Sequence, residues 1–349
     1  MIKNHARELC LWLIIILSFM VMKTWRNATR VRLMDHELRQ GSSARFRPPI
    51  LEASGLCPVS ESKSIDDNLG IHESVPNLFW THNDSFDRAR AFQVKLNGEL
   101  IHEIAIPGID NVDWEACSSA KFDPHDGADV LYIADTGNNF HWRDQLVIYA
   151  LGLSQDDQGH HTLKPLRPYH FRFPRNGSDP PLSYEKDDGR CLDIESLFWR
   201  HGELFMISKC AISSSPTLWR LPREKDGGRS VESQIVLEDL GKLSIVPSAH
   251  PLLERVTDAS YLAREGILAV LTYQSLWFYQ LSGDPKRPKL SPPLTRCDLN
   301  IKGRNVSQAE ALSWVESSEG NQLVVLTELG DVYTYKIDIP TNHRLTCVP

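Results

Sequence analysis

The sequence lacks a basic face, a run of like charge and a long helical pattern. Its 349 residues carry 38 Lys and Arg against 45 Asp and Glu, a formal net charge of −7. Nucleic-acid partners call for a basic stripe, so this mild acidity argues against a nucleic-acid role. Without charge runs there is no acidic or basic tail. No Gly-x-Ser-x-Gly elbow, zincin motif or phosphate loop is present, so the chain offers no recognised nucleophile or nucleotide cradle. Its thirteen His form no ligand pattern, and His160-His161 reads as a solvated loop pair. After residue 50 no stretch shows the 3.6-residue period of an amphipathic helix. What remains is a globular composition, 41% hydrophobic and 24% charged.

A full-length membrane span is also missing. The apolar stretch Leu9 to Met22, broken only by Ser18, follows Lys3 and Arg7. It is shorter than the roughly 20 residues that cross a bilayer. No small-x-small cleavage site follows it; Met22-Lys23-Thr24-Trp25 is bulky and basic. The segment therefore reads as an uncleaved signal anchor. Residues 1–23 would be a cytoplasmic tail and membrane helix, 24–49 a polar stalk, and 50–349 an extracytoplasmic domain. A cleaved leader would make the domain secreted. Lys23, Arg26, Arg30 and Arg32 oppose this orientation, because positive flanks stay in the cytoplasm.

Cysteines support export. Cys10 lies in the apolar segment, leaving Cys57, Cys117, Cys191, Cys210, Cys297 and Cys347. An even set in an exported domain suggests disulfides. Cys191 and Cys210 flank two apolar runs that turn at His201-Gly202, so a hairpin would bring them together. Sequons at Asn27, Asn83, Asn176 and Asn305 would carry glycans in a eukaryotic secretory pathway.

Beyond residue 50, one pattern recurs five times. A short acidic or hydroxyl-bearing motif precedes a β-rich run ending in a polar residue, and an aromatic-rich run follows. The opening motifs are Glu52-Ala53-Ser54-Gly55-Leu56, Asp113-Trp114-Glu115-Ala116, Asp193-Ile194-Glu195-Ser196-Leu197, Thr257-Asp258-Ala259-Ser260 and Ala309-Glu310-Ala311-Leu312. The runs are short, β-branched or aromatic, and bounded by Gly, Asn and Asp, which is the signature of strands and hairpins. Their spacing fits an all-β propeller of about five blades, each of four antiparallel strands. The stretch from about Leu153 to Asp188 is the longest insertion. It could be irregular, an extra hairpin or a sixth blade.

In a propeller the first strand of each blade lines the axis. Ser54, Glu115, Glu195, Asp258 and Glu310 align there by sequence. A ring of carboxylates is costly unless protonated, paired or bridged by a cation. Hard oxygen ligands favour Ca²⁺, with Glu115, Glu195, Asp258 and Glu310 as its ligands. Pairing to Arg143 or Lys209, or capping of strand N–H groups, would be the alternatives. The second strands end on His82, Asn83 and Asp84, on Asp135, Asn138 and Asn139, and on Lys209, Tyr273 and Glu328. These residues should crowd one channel mouth. Asp135-Thr136-Gly137-Asn138-Asn139 also reads as a tight turn, since Gly and Asn tolerate positive φ.

Trp80-Thr81-His82-Asn83-Asp84-Ser85, Asp113-Trp114-Glu115, Tyr132-Ile133-Ala134-Asp135-Thr136-Gly137-Asn138-Asn139 with Arg143, and Asp193-Ile194-Glu195-Ser196-Leu197 resemble motifs of exported β-propellers similar to the SdiA-regulated family. More distantly they resemble esterase-like, phytase-type propellers. Three residues depart from the pattern: Phe86 where a Gly is common, Ser196 where Ala or Gly usually follows the Glu, and Asp258 with no Glu. The resemblance implies a fold and a compartment rather than an activity. Two functions follow. One is a membrane-tethered module binding a small polar ligand, a glycan or a protein at the channel mouth. The other is a Ca²⁺-dependent hydrolase of phosphate or other esters. In the second, Glu115 or Glu195 would hold the ion, Asp135 would act as base, and Lys209 or Arg143 would steady the anionic product.

Overall fold

A computed structural model of the chain describes residues 40–47, 49–59, 78–139, 143, 145–155, 161–174, 191–210, 215–223, 234–245, 251–299, 308–317, 320–337 and 339. The first strand among the described residues is β1 (Gln40–Arg45), and five antiparallel sheets follow in sequence order. The first holds β2 (Ala53–Pro58), β3 (Phe79–Asn83), β4 (Arg90–Val94) and β5 (Leu100–Ala105). The second holds β6 (Trp114–Asp123), β7 (Ala128–Asp135), β8 (Leu146–Gln155) and β9 (His161–Arg172). The third starts with β10 (Asp193–Arg200), β11 (Glu203–Lys209) and β12 (Thr217–Leu221). Its chain then leaves for β13 (Ile235–Val236), which pairs in parallel with β9, and returns as β14 (Glu238–Lys242). A 3₁₀ turn, Pro251–Glu254, leads into the fourth sheet: β15 (Val256–Leu262), β16 (Ile267–Thr272) and β17 (Ser275–Gly283). Both β18 (Pro288–Leu290) and β19 (Thr295–Asp298) pair with β17. The fifth sheet holds β20 (Ala309–Ser317), β21 (Gly320–Thr327) and β22 (Asp331–Ile337), and β1 adds to its outer edge beside β22.

Five apolar cores show why these sheets close into a ring. Each core is filled by two neighbouring sheets. Phe79, Phe92 and Leu56 of the first meet Val324 and Leu326 of the fifth. Trp80 and Cys57 of the first meet Trp114 and Ile133 of the second. Tyr132 and Phe171 meet Met206 and Trp219 across the second and third. Phe205 and Leu218 meet Val270 and Tyr279 across the third and fourth. Phe278 and Leu271 meet Trp314 and Tyr335 across the fourth and fifth. The first strand of every sheet contacts the first strands of both neighbours, so β2, β6, β10, β15 and β20 surround the axis. The fold is therefore a five-bladed β-propeller, and a sheet without its neighbours would leave two apolar faces in water.

The expected hairpin turn at His201-Gly202 is present. Both residues have positive φ, 48° and 87°, as a two-residue turn that follows strand twist requires. Cys191 and Cys210 are bonded across this blade, with Cα atoms 4.7 Å apart. A second disulfide, Cys57–Cys117, ties the inner strands of blades one and two. Cys297 is also disulfide-bonded, to a partner outside the described residues. These bonds suit an oxidising, extracytoplasmic compartment.

Several expectations change. Among the described residues there is no sixth blade: the stretch after Leu153 extends β8 and forms the long strand β9, and residues 156–160 and 175–190 lie outside the described residues. His161 is not a loop residue but starts β9, where its Nδ1 lies 2.7 Å from Gln93 Nε2 and its ring meets Trp80 edge-on. Within the expected stalk, Gln40–Arg45 form β1, which pairs with β22 of the propeller. The apolar segment expected as an anchor helix lies outside the described residues, as do Asn27, Asn176 and Asn305. Among the described residues no helix is long and apolar enough to cross a membrane. Asn83 is buried with its amide fully used: Nδ2 donates to Pro49 O and Asp87 Oδ2, and Oδ1 accepts from the N–H groups of Leu51 and Glu52. That sequon has no room for a glycan.

Candidate cation and ligand site at the axial mouth

Every inner strand carries a β-bulge at the same step. In each, one residue has no partner on the second strand: Gly55, Glu115, Glu195, Thr257 and Glu310. A bulge re-aims the extra residue, here toward the axis. The sequence alignment was therefore off by one in two blades. Ser54 and Asp258 flank the bulge, and Gly55 and Thr257 fill it. Ser54 Oγ donates to Glu115 O at 2.7 Å, and Thr257 Oγ1 donates to Ala309 O at 2.7 Å. These bonds fasten neighbouring inner strands to each other. Gly55, at φ 65°, cannot be replaced, since a Cβ would stand 2.6 Å from His82 Nε2 and 2.8 Å from the backbone N of Cys117.

The bulge glutamates meet Asp84, expected at the mouth, and two aspartates that the sequence reading left out of the site, Asp113 and Asp193. Asp84, Asp113 and Glu115 can bring one oxygen each within 4.8 Å of one another, and so can Glu115, Asp193 and Glu195. Ligands at opposite poles of a Ca²⁺ ion stand about 4.8 Å apart, because each Ca–O bond is about 2.4 Å. Glu115 belongs to both triads. Asp113 and Asp193 each precede their glutamate by two residues, and at the bulge each pair of carboxylates converges. That Asp-x-Glu spacing was the signal that could have found them. Glu115, Asp193 and Glu195 are buried, whereas Asp84, Asp113 and Glu310 keep some contact with solvent. The site is a funnel, acidic from rim to base.

Lys209 ends β11 opposite Asp193, and its Nζ lies 2.8 Å from Glu195 Oε1. Nζ also sits 5.4 Å from the Tyr273 ring centroid, a cation–π contact. One ammonium faces six carboxylates, so protons are retained. Burial, then the nearby Asp84 and Asp193, raise Asp113 to about 7. Burial raises Asp84 to about 6 and Glu310 to about 8. Glu115 and Glu195 are pushed well above the usual carboxylate range, by burial and then, for Glu115, by Glu195. Lys209 is held well above its ordinary value by Glu195, against its burial. A divalent cation would relieve the same repulsion.

Other expected residues have structural partners. Asp135 Oδ1 accepts from Arg143 Nη2 at 2.6 Å, and its two oxygens take the N–H groups of Val112 and Asp113. The expected base and anion clamp thus bond to each other. Asn138 donates to Arg143 O and Leu192 O and accepts from Arg143 N, while its own N–H donates to Asp193 Oδ1 at 2.7 Å. The loop thereby fixes Asp193. Gly137 is needed for room rather than for a left-handed turn, as a Cβ there would collide with the carboxylates of Asp113 and Glu115. Asn139 begins the turn beyond and is exposed. His82 is enclosed edge-on to Trp114 and kept neutral by burial, which lowers it to about 4. Asp258 accepts the N–H groups of Ala259 and Leu312 at 2.7 Å each, so it caps neighbouring strands instead of joining the triads. Tyr273 and Glu328 stand at the ends of their second strands, half-buried, with Glu310.

No family model matches the chain. No curated protein matches it either. Among solved structures, the major allergen Mala s 1 of Malassezia sympodialis is 11% identical over 75% of this chain and 90% of its own, with a TM-score of 0.44. A functionally unknown protein of Desulfotomaculum acetoxidans is 12% identical over 74% of this chain and 68% of its own, with a TM-score of 0.34. The assignment as a propeller rests on the five closed sheets.

Proposed function

We propose that the protein is an extracytoplasmic binding module whose axial mouth takes its ligand beside a divalent cation, with Ca²⁺ the favoured ion. The observation that carries this reading is the pair of carboxylate triads sharing Glu115. All of their donors are hard oxygens, which suit Ca²⁺ over softer metals. Glu115, Asp193 and Glu195 would hold the ion at the base, with Asp84 and Asp113 nearer solvent. The motifs that resemble those of SdiA-regulated and phytase-type propellers include Asp84, Asp113, Glu115, Asp193 and Glu195, which supports the reading. Binding is favoured over ester hydrolysis because Asp135, the candidate base, is spent on Arg143 and two N–H groups. The tether would be residues 1–23, and protease protection of intact membranes would reveal its orientation.

Calorimetry on the purified chain tests the site. Ca²⁺ should bind, and should raise the thermal midpoint over that in EDTA. Glu115→Gln removes a ligand common to both triads, so the Ca²⁺ response should fall at least tenfold. An unchanged midpoint with and without Ca²⁺ would sink the cation.

A further inference from the structure

Four of the most exposed large apolar side chains lie on loops beside the axial mouth: Phe86 at 89% exposure, Leu51 at 61%, Val112 at 54% and Leu329 at 50%. Hydrogen bonds join their loops. The Asn83 amide holds Pro49, Leu51 and Glu52. The Asn111 side chain donates to Asn83 O and Asp84 O, at 3.2 and 2.8 Å. Ala53 N donates to Glu328 O, and Gly330 N to Thr327 O. Asp84 and Asp113, two walls of the funnel, are each within two residues of an exposed apolar tip. These four side chains therefore share one face with the acidic mouth.

The exposure is built in. Phe86 has a φ of 65°, a left-handed conformation that a bulky residue adopts only at a cost. The loop around it is braced. Asp87 pairs with Arg90 at 2.8 Å and accepts from Asn83 Nδ2, and Arg90 reaches Glu103 at 3.0 Å. A rigid loop that strains its backbone to hold an aromatic ring in water has a binding surface's properties.

The geometry points to this face as a docking surface for a protein segment that inserts a Lys or Arg side chain into the axial mouth and packs apolar neighbours on Phe86, Leu51, Val112 and Leu329. Charge complementarity selects that occupant. Asp84, Asp113, Glu115, Asp193, Glu195 and Glu310 surround the single ammonium of Lys209, and an inserted cation would draw off the protons that their crowding retains. An anionic membrane or an acidic peptide would be repelled. The inference deepens the binding reading above but does not need the metal.

A random dodecapeptide library displayed on phage would be selected on the full chain, with counter-selection on the double variant Phe86→Ser, Leu329→Ser. Both side chains are exposed on loops, so the variant should keep the wild-type thermal midpoint. The expected winners carry Lys or Arg flanked by apolar residues. Their synthetic peptides should lose at least tenfold in affinity on the double variant, and at least tenfold when the basic residue becomes Gln. Winners without a basic residue, winners indifferent to the double variant, or no enrichment would each overturn the proposal. So would a wild-type dimer that the double variant abolishes, since the occupant would then be a second copy. Failure of Ca²⁺ binding alongside these winners would remove the cation and leave the docking face standing.

Discussion

At the scale of single residues, the site is a problem in crowded negative charge. Asp84, Asp113 and Glu310 stand at about 6, 7 and 8, against ordinary values of 3.8, 3.8 and 4.5. A carboxylate whose pKa rises on folding stabilises the protein most below its ordinary pKa, and loses that contribution as pH climbs through the raised value. In EDTA the thermal midpoint should therefore fall as pH rises from about 5 to about 8, where these three groups lose protons. With saturating Ca²⁺ the fall should be smaller, because the ion binds the deprotonated form and Ca²⁺ affinity grows with pH. Melting curves across that range in both conditions check the claim; parallel slopes would contradict it. Glu115, Glu195 and Glu310 were legible in the sequence as axial residues. Gly55 and Thr257 were not, because a bulge adds a residue that strand alternation cannot announce. Asp258 was misplaced for the same reason. Phe86 has a φ of 65°, a backbone conformation that favours Gly.

At the scale of elements, the hairpin β10–β11 carries much of the site. Its disulfide, Cys191–Cys210, brackets Asp193 and Lys209, and the Asn138 N–H pins Asp193 from the neighbouring blade. Replacing both cysteines with serine should cost about 2–5 kcal/mol of stability and weaken Ca²⁺ binding severalfold, because the strand ends holding the two side chains would fray. Chemical denaturation and calorimetry would measure the two effects separately. Unchanged Ca²⁺ affinity would mean that the Asn138 bond alone positions Asp193. This disulfide was legible because both cysteines belong to one hairpin with an evident turn. Cys57–Cys117 was not, since it joins two blades, and nothing local in the sequence reports which inner strands will be neighbours. The loop Asp135–Asn138 was legible as dense in polar groups, but its chemistry was not. Its Asp and Asn are used to bind Arg143 and the third blade.

At the scale of the whole molecule, the ring closes through a strand from the start of the chain. β1 completes the fifth blade by pairing with β22, and Arg45 forms a two-bond ion pair with Asp331. A chain begun at Phe46 should lose that fourth strand and melt at a lower temperature. Amides of β20–β22 should exchange with solvent before those of the other blades, as hydrogen exchange would report; uniform exchange would show that the ring does not depend on β1. Five copies of the strand pattern were enough to read the architecture, because every blade repeats its apolar runs. The closing strand escaped notice since Gln40-Gly41-Ser42-Ser43-Ala44-Arg45 has no alternation of apolar residues. It stands at an edge, where backbone pairing matters more than side-chain burial. The five matching bulges have a further consequence. They hand the axial position to a residue that neither flanking core contains. With Gly55 fixed by its surroundings and Thr257 tied to Ala309 O, the three glutamates Glu115, Glu195 and Glu310 can change without disturbing the apolar packing that folds the chain. The candidate site and the folding cores thus occupy separate positions, and a lineage built on this scaffold could change the chemistry of its axis by altering a handful of codons while its architecture stayed constant.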